Sequence, residues 1–342
     1  MNHEISRRIS FLGFVMTCGI VFYHCGPSPT IPSTKMDQIC FNAISNFFTS
    51  VAPLAMCYFF TVTGYLLFLN LSLLNWAHKV KRRVFSLLVP YLAWQCLTFA
   101  ANLLHHEAMT KREFLKTTFL LGQWPPDGAL WYLYAVFLLA LLAPVILLVY
   151  EHVNHHLGFW LTFAVILFFY WMQSAKFATL FCEYGYVSNI LRYMPSYLLG
   201  TYFGFYHAKT SEEDTLRYLL NVLLTAFAVD AVFSGFFSTM AMQVLPLLAL
   251  FLLPIPDFLC DRKIYHLSFL VYALHQPLLK HFLHPIRDLI SVVCPFSPPA
   301  SLINGLGRVL YFLFILCLAW VLHTILTRFS PKTLNVLTGG RT

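Results

Sequence analysis

The chain has 342 residues, 59% of them hydrophobic and only 11% charged, with a formal net charge of +8. Soluble domains carry about 25% charged residues, and a soluble fold of this length could not hide so much apolar surface, so lipid must be the solvent for much of the chain. The surplus of Lys and Arg lies in short clusters between apolar runs, with no basic, aromatic-interleaved soluble module, which argues against nucleic-acid binding and for topology signals that meet anionic headgroups.

The apolar runs predict ten membrane helices. The first covers residues 9–25; it follows Arg7 and Arg8 and ends in Tyr23, His24 and Cys25. A cleavable leader ends in small residues. This run ends Val-Phe-Tyr-His-Cys, so it reads as an uncleaved anchor helix. A polar, Pro-rich loop is expected over residues 26–46, then span two over 47–71. The densest basic cluster follows, Lys79, Lys81, Arg82 and Arg83, and introduces span three at 84–104. Span four is expected at 129–150, span five at 158–174, and span six at 190–206. In the loop 207–214, Ser211 before Glu212, Glu213 and Asp214 reads as a helix N-cap with an acidic first turn. Span seven is expected at 216–233 and span eight at 236–253, with a tight turn at Ser234 and Gly235. Span nine covers 265–283 and span ten 309–325. Residues 1–330 read as one transmembrane domain, and 331–342 as a polar C-terminal tail.

With the N-terminus placed in the cytoplasm, 13 of the 22 Lys and Arg residues fall on the inner side and 9 on the outer. The pair before span one and the cluster after span two agree locally with this N-in, C-in placement. The fold class expected is therefore an all-α integral membrane protein, a bundle of about ten transmembrane helices.

His24 is the first candidate for chemistry. An ionisable side chain in a membrane helix is costly and marks a site by default. The basic cluster lies at the inner end of the neighbouring span, which suits a bulky anionic donor held in the cytoplasm. His275 sits two residues before Pro277, which frees an upstream carbonyl and often marks a polar, water-lined site, and Tyr272 shares its face. His152, His155 and His156 have helical spacing but no thiolate and no acid beyond Glu151, so no metal site is expected. The same holds for His105 and His106. The nine cysteines include no CxxC spacing; an isolated bridge between outer-face cysteines stays open.

Five stretches then occur in a telling order: FLGFVMTCGIVFYH, FFTVTGYLLF, KVKRRVFSLLVPYLAWQ, LWYLYAVFLLALLAP and SFLVYALHQPLL. Together they resemble the membrane-bound acyltransferase-3 family, across nearly the whole chain. The resemblance implies a multi-pass O-acyltransferase of a bacterial plasma (inner) membrane. It would move an acyl group, most often acetyl, from cytoplasmic acetyl-CoA to a hydroxyl of a cell-surface or lipid-linked glycan. Acyl-CoA would be a co-substrate, with no bound cofactor. His24 would be the general base, and Arg82, Arg83, Lys81 and Lys79 would hold the donor phosphates. Tyr23, Thr63, Trp131, Tyr272 and His275 would line or support the pocket, with Arg192 and Glu183 on the acceptor side. The family usually carries Arg or Lys eleven residues before its first-helix histidine, where this chain has Gly13. A transporter or flippase-like protein, or a catalytically silent member of the same fold, is the competing reading. The absence of two matching halves weighs against the transporter.

Overall fold

The computed structural model describes residues 3–104, 109–119, 124–174, 187–206, 216–217, 219–221, 223–224, 237–260, 262–293 and 298–341. Glu183, His105, His106, Cys182, Cys294, most of residues 216–233, the loop 207–214 with Ser211, and the turn at Ser234 and Gly235 lie outside them. The seven described cysteines are free thiols.

Among the described residues the α-helices are α1 (His3–His24), α2 (Lys35–Phe68), α3 (Leu73–Arg83), α4 (Val89–Leu104), α5 (Lys111–Phe119), α6 (Trp131–His152), α7 (His155–Ser174), α8 (Val187–Tyr206), α9 (Phe237–Leu252), α10 (Ser268–Val293), α11 (Ala300–Phe329) and α12 (Pro331–Thr338). No strand occurs among these residues. Five stretches are long and apolar enough to cross a membrane: His3–His24, Lys35–Phe68, Leu73–Leu104, Gly128–His152 and Ala300–Phe329. A pair bent by 110°, Met242–Leu252 with Asp257–Leu279, makes a sixth if taken as one span. The described residues thus present five or six candidate spans where the apolar runs gave ten. Helix α8 shows one reason for the difference: it is buried in protein from residue 195 to 204. A helix enclosed by protein can carry Ser196, Thr201 and several tyrosines, and its composition no longer looks like a membrane span.

Helix boundaries shift where polar residues act as caps. The expected loop over 26–46 gives way at Lys35 to α2, because the Thr34 side chain accepts the Asp37 N–H at 3.1 Å. The Asp37 carboxylate in turn accepts the N–H groups of Ala300 (2.9 Å) and Ser301 (2.8 Å), and so caps the start of α11. The basic cluster is helical as well. Ser72 and Asn75 form a capping box that starts α3. That helix runs into α4 through a π-helical turn, Val84–Leu88. Pro90 follows at once; it has no N–H to give to the Ser86 carbonyl, so the regular ladder breaks there. Helix α10 runs to Val293, ten residues past the expected end of span nine. The polar segment after residue 330 forms α12 and buries Leu334, Leu337 and Thr338.

Helix α2 is the axis of the bundle: α1, α6, α8, α9 and α11 all pack on it. Its closest neighbour is α8. A Cβ on Gly64 would strike the backbone of Tyr197 and Thr201, and one on Gly200 or Gly204 would strike that of Thr61 or Tyr65. The two helices therefore meet backbone to backbone, as small residues permit between membrane helices. Replacing Gly200 by Val should destabilise the protein by at least about 3 kcal/mol, since the obstacle is backbone that cannot rotate away. A thermal melt of the detergent-solubilised protein with the same midpoint as the parent would refute this contact.

Candidate active site

A cavity of about 630 Å3 opens among α1, α2, the turn after α3, α6 and α10. From α1 it takes Ile9, Ser10, Gly13 and Thr17; from the other helices, Thr63, Tyr132 and Tyr272. Arg83, Arg262 and Arg341 make the lining cationic, beside the His266 imidazole, and no Asp or Glu occurs among the 19 lining residues. Gly13 contributes no charge. A Cβ there would meet only the Tyr58 hydroxyl, at 3.9 Å, so the cavity draws its positive charge from other elements.

The uncharged wall is built by hydroxyl contacts. Thr63 and Tyr132 share a short hydrogen bond of 2.5 Å, and the Tyr132 hydroxyl also donates to the Phe59 carbonyl at 2.8 Å. Tyr272 donates to the Ala129 carbonyl and so ties α10 to the start of α6. That start is itself fixed. The Gln95 side chain accepts the Asp127 N–H (2.9 Å) and donates to the Asp127 carbonyl (3.1 Å). The Asp127 carboxyl is buried with neither oxygen hydrogen-bonded, and burial pushes its pKa well above the usual carboxylate range.

Past the cavity lie the two histidines. His24 is seven residues beyond Thr17 on α1, roughly 10 Å of helix rise. His275 is three residues beyond Tyr272. Their rings face each other with centroids 5.1 Å apart. His275 is fully buried; its Nδ1 lies 2.6 Å from the Tyr272 carbonyl and its Nε2 has no partner. A carbonyl oxygen only accepts, so in the neutral ring Nδ1 carries the proton and Nε2 presents its lone pair. The Tyr311 hydroxyl donates to the His275 carbonyl from α11.

The end of α1 is held by two arginines. Arg287 donates to the carbonyls of Cys25 (3.1 Å), Gly26 (2.9 Å) and Pro27 (3.4 Å). Arg308 donates to the Phe22 carbonyl and, from Nε, to Asn304 at 3.3 Å. Both are buried, at 4% and 2% exposure. A cation at a helix C-terminus meets the orphan carbonyls and the negative end of the macrodipole. His24 sits in the turn these bonds enclose. Arg287 lies within α10 and Arg308 within α11.

The other residues singled out from sequence are distributed unevenly. Of the basic cluster only Arg83 lines the cavity. Lys79 donates to the carbonyls of Leu67 (3.0 Å) and Leu69 (2.6 Å), at the end of α2, while Lys81 and Arg82 are exposed. Thr63 and Tyr272 line the cavity. Trp131 is buried against Phe60, Trp124 and Tyr193 and does not. Tyr23 is exposed and contacts the His24 ring. Arg192 is exposed and lies over the Tyr193 ring, 5.9 Å from its centroid. Arg341, Arg262, His266, Asp127 and the two clamping arginines did not stand out in the sequence. An arginine interrupting an apolar run, as Arg308 does before LYFLFILCLAW, was the one available signal.

A family model described as an acyltransferase domain matches residues 10–324. No curated protein and no solved structure matches the chain.

Truncating either clamping arginine leaves helix-end carbonyls unpaired in a dry place. Arg308→Met and Arg287→Met should each destabilise the protein by about 1.5–3 kcal/mol, the range for hydrogen bonds to charged groups. Thermal melts of the purified variants measure this, and unchanged midpoints would show that the clamp contributes nothing.

Proposed function

Because the chain belongs to the acyltransferase family that its residues 10–324 match, we propose that this multi-pass membrane protein transfers an acyl group, in the first instance acetyl, from cytoplasmic acyl-CoA to a hydroxyl of a cell-surface or lipid-linked glycan. The observation that carries this reading is that one cavity joins Arg83 and Arg341 to the hydroxyls of Thr63, Tyr132 and Tyr272, with His275 bonded to the Tyr272 carbonyl and its ring 5.1 Å from that of His24. A phosphate-bearing donor fits the cationic lining, where guanidinium groups offer forked donors. Its acyl arm would extend along the uncharged wall, and a volume of about 630 Å3 suits a ligand of that class.

In the reaction His24 takes the proton from the acceptor hydroxyl while that oxygen bonds to the thioester carbonyl carbon. The carbon–sulfur bond then breaks, and the CoA thiolate leaves and recovers a proton. His275, with its tautomer set by the Tyr272 carbonyl, offers Nε2 to the N–H of His24, directly or through a water, and so keeps the opposite nitrogen of His24 as the base. The clamp at the end of α1 keeps that ring in place.

The topology we propose is about ten transmembrane helices in a bacterial plasma membrane, with both termini in the cytoplasm. The 13 Lys and Arg residues inside against nine outside favour this orientation. Arg192 and Glu183 remain the proposed acceptor-side residues, and Arg83 leads the proposed donor set, with Arg82 and Lys81 beside it.

His24→Ala should lower transfer of label from acetyl-CoA into the membrane glycan fraction by at least about 100-fold, the low end of general-base catalysis, with unchanged amounts of protein in the membrane. Transfer at the parent rate in that variant would sink the assignment of the base.

A further inference from the structure

Three guanidinium groups line the cavity with no carboxylate among its lining residues; Arg262 gives its Nε–H to the Phe258 carbonyl, which leaves Arg83 and Arg341. Arg83 comes from the end of α3, and its buried Nε has no hydrogen-bond partner. Arg341 comes from the segment after α12, and its guanidinium lies over the Phe269 ring, 4.8 Å from the centroid. Its surface is accessible, yet protein atoms crowd it: desolvation first, and then repulsion from Arg83, lower its pKa to about 10 and leave it charged at neutral pH. Tyr132 lies close enough to both cations to feel their charge.

The placement of Arg341 is built, not incidental. Leu334 and Leu337 are buried, and the Trp94 indole N–H donates to the Leu337 carbonyl at 3.0 Å. Gly339 then turns the chain at φ +64°, and the Gly340 N–H closes that turn on the Asn335 carbonyl at 3.1 Å. A Cβ on Gly339 would strike the Ser86 carbonyl. That is the carbonyl Pro90 cannot bond, so the break in the helix after Arg83 is the surface on which the turn rests. One irregularity therefore seats Arg341 in the cavity that Arg83 lines.

Like charges held together in a partly dry cavity repel, and a bound anion relieves that repulsion. We propose that Arg341 and Arg83 together form the phosphate subsite for the donor, so that the segment 331–341 completes the binding site rather than trailing from it. This rests on the acyl-CoA reading above. It names a phosphate or diphosphate as the ligand chemistry and supplies the cavity cation that Gly13 does not.

The test is calorimetric binding of CoA, and separately of inorganic diphosphate, to the full-length protein in detergent. Arg341→Ala and Arg341→Gln should each weaken CoA binding by at least about tenfold, or about 1.4 kcal/mol, with thermal midpoints near the parent's. A chain stopped after Thr338 keeps the buried leucines and should behave like Arg341→Ala. Parent-like CoA affinity in these variants would overturn the subsite and leave the acyltransferase reading standing. Diphosphate binding that depends on Arg341, in a parent that does not bind CoA, would keep the subsite and remove the acyl-CoA reading. A parent that binds neither would overturn both.

Discussion

Three helices of this chain, α1, α2 and α9, stop where their last carbonyls accept hydrogen bonds from a cation on another element. Arg287 and Arg308 do this for α1, and Lys79 does it for α2. Arg8 does it for α9, donating to the carbonyls of Phe251 (2.7 Å) and Leu253 (2.9 Å). In an apolar medium an unpaired carbonyl and an unpaired cation are each costly, and joining them removes both costs at once. The arrangement also fixes how the helices sit along one another, because each cation can reach only the end it was placed beside. Asp37 completes the scheme with the opposite sign, at the start of α11.

The scheme gives a physical criterion for separating structural from functional charge. Arg7 pairs with Asp257 at 2.7 Å, so it and Arg8 belong to the packing of α1 near the end of α9, and neither lines the cavity. Lys79 is likewise committed to a helix end. Arg83 and Arg341 instead line a cavity that contains no acid. The distinction comes from partners, not from residue type or from local charge density, and it reduces a four-residue basic cluster to one residue that lines the cavity.

The parts of the site legible in the sequence were those written in local order. The apolar runs and the five ordered stretches led to His24 and His275, which lie far apart in the chain and face each other in the fold. They also led to Thr63, Tyr272 and Arg83. What could not be read was whatever depended on a distant partner. Arg287 and Arg308 look like loop charges until the carbonyls of Cys25, Gly26, Pro27 and Phe22 are brought to them. The Pro-rich stretch before span two looks like a loop until Thr34 and Asp37 are recognised as caps. Helix α8 was legible as apolar, but its glycines gain meaning only against the backbone of α2.

The position of Arg341 along the chain bears on how the protein is made. Every described membrane helix precedes it, and α12 separates it from the last of them. A nascent chain emerges in order, so all those helices can enter the bilayer and pack while the cavity still lacks one of its walls. The histidine pair can therefore come together before Arg341 joins the lining of the cavity. Docking of residues 331–341 onto the Ser86 break is the step that turns a packed bundle into a finished compartment.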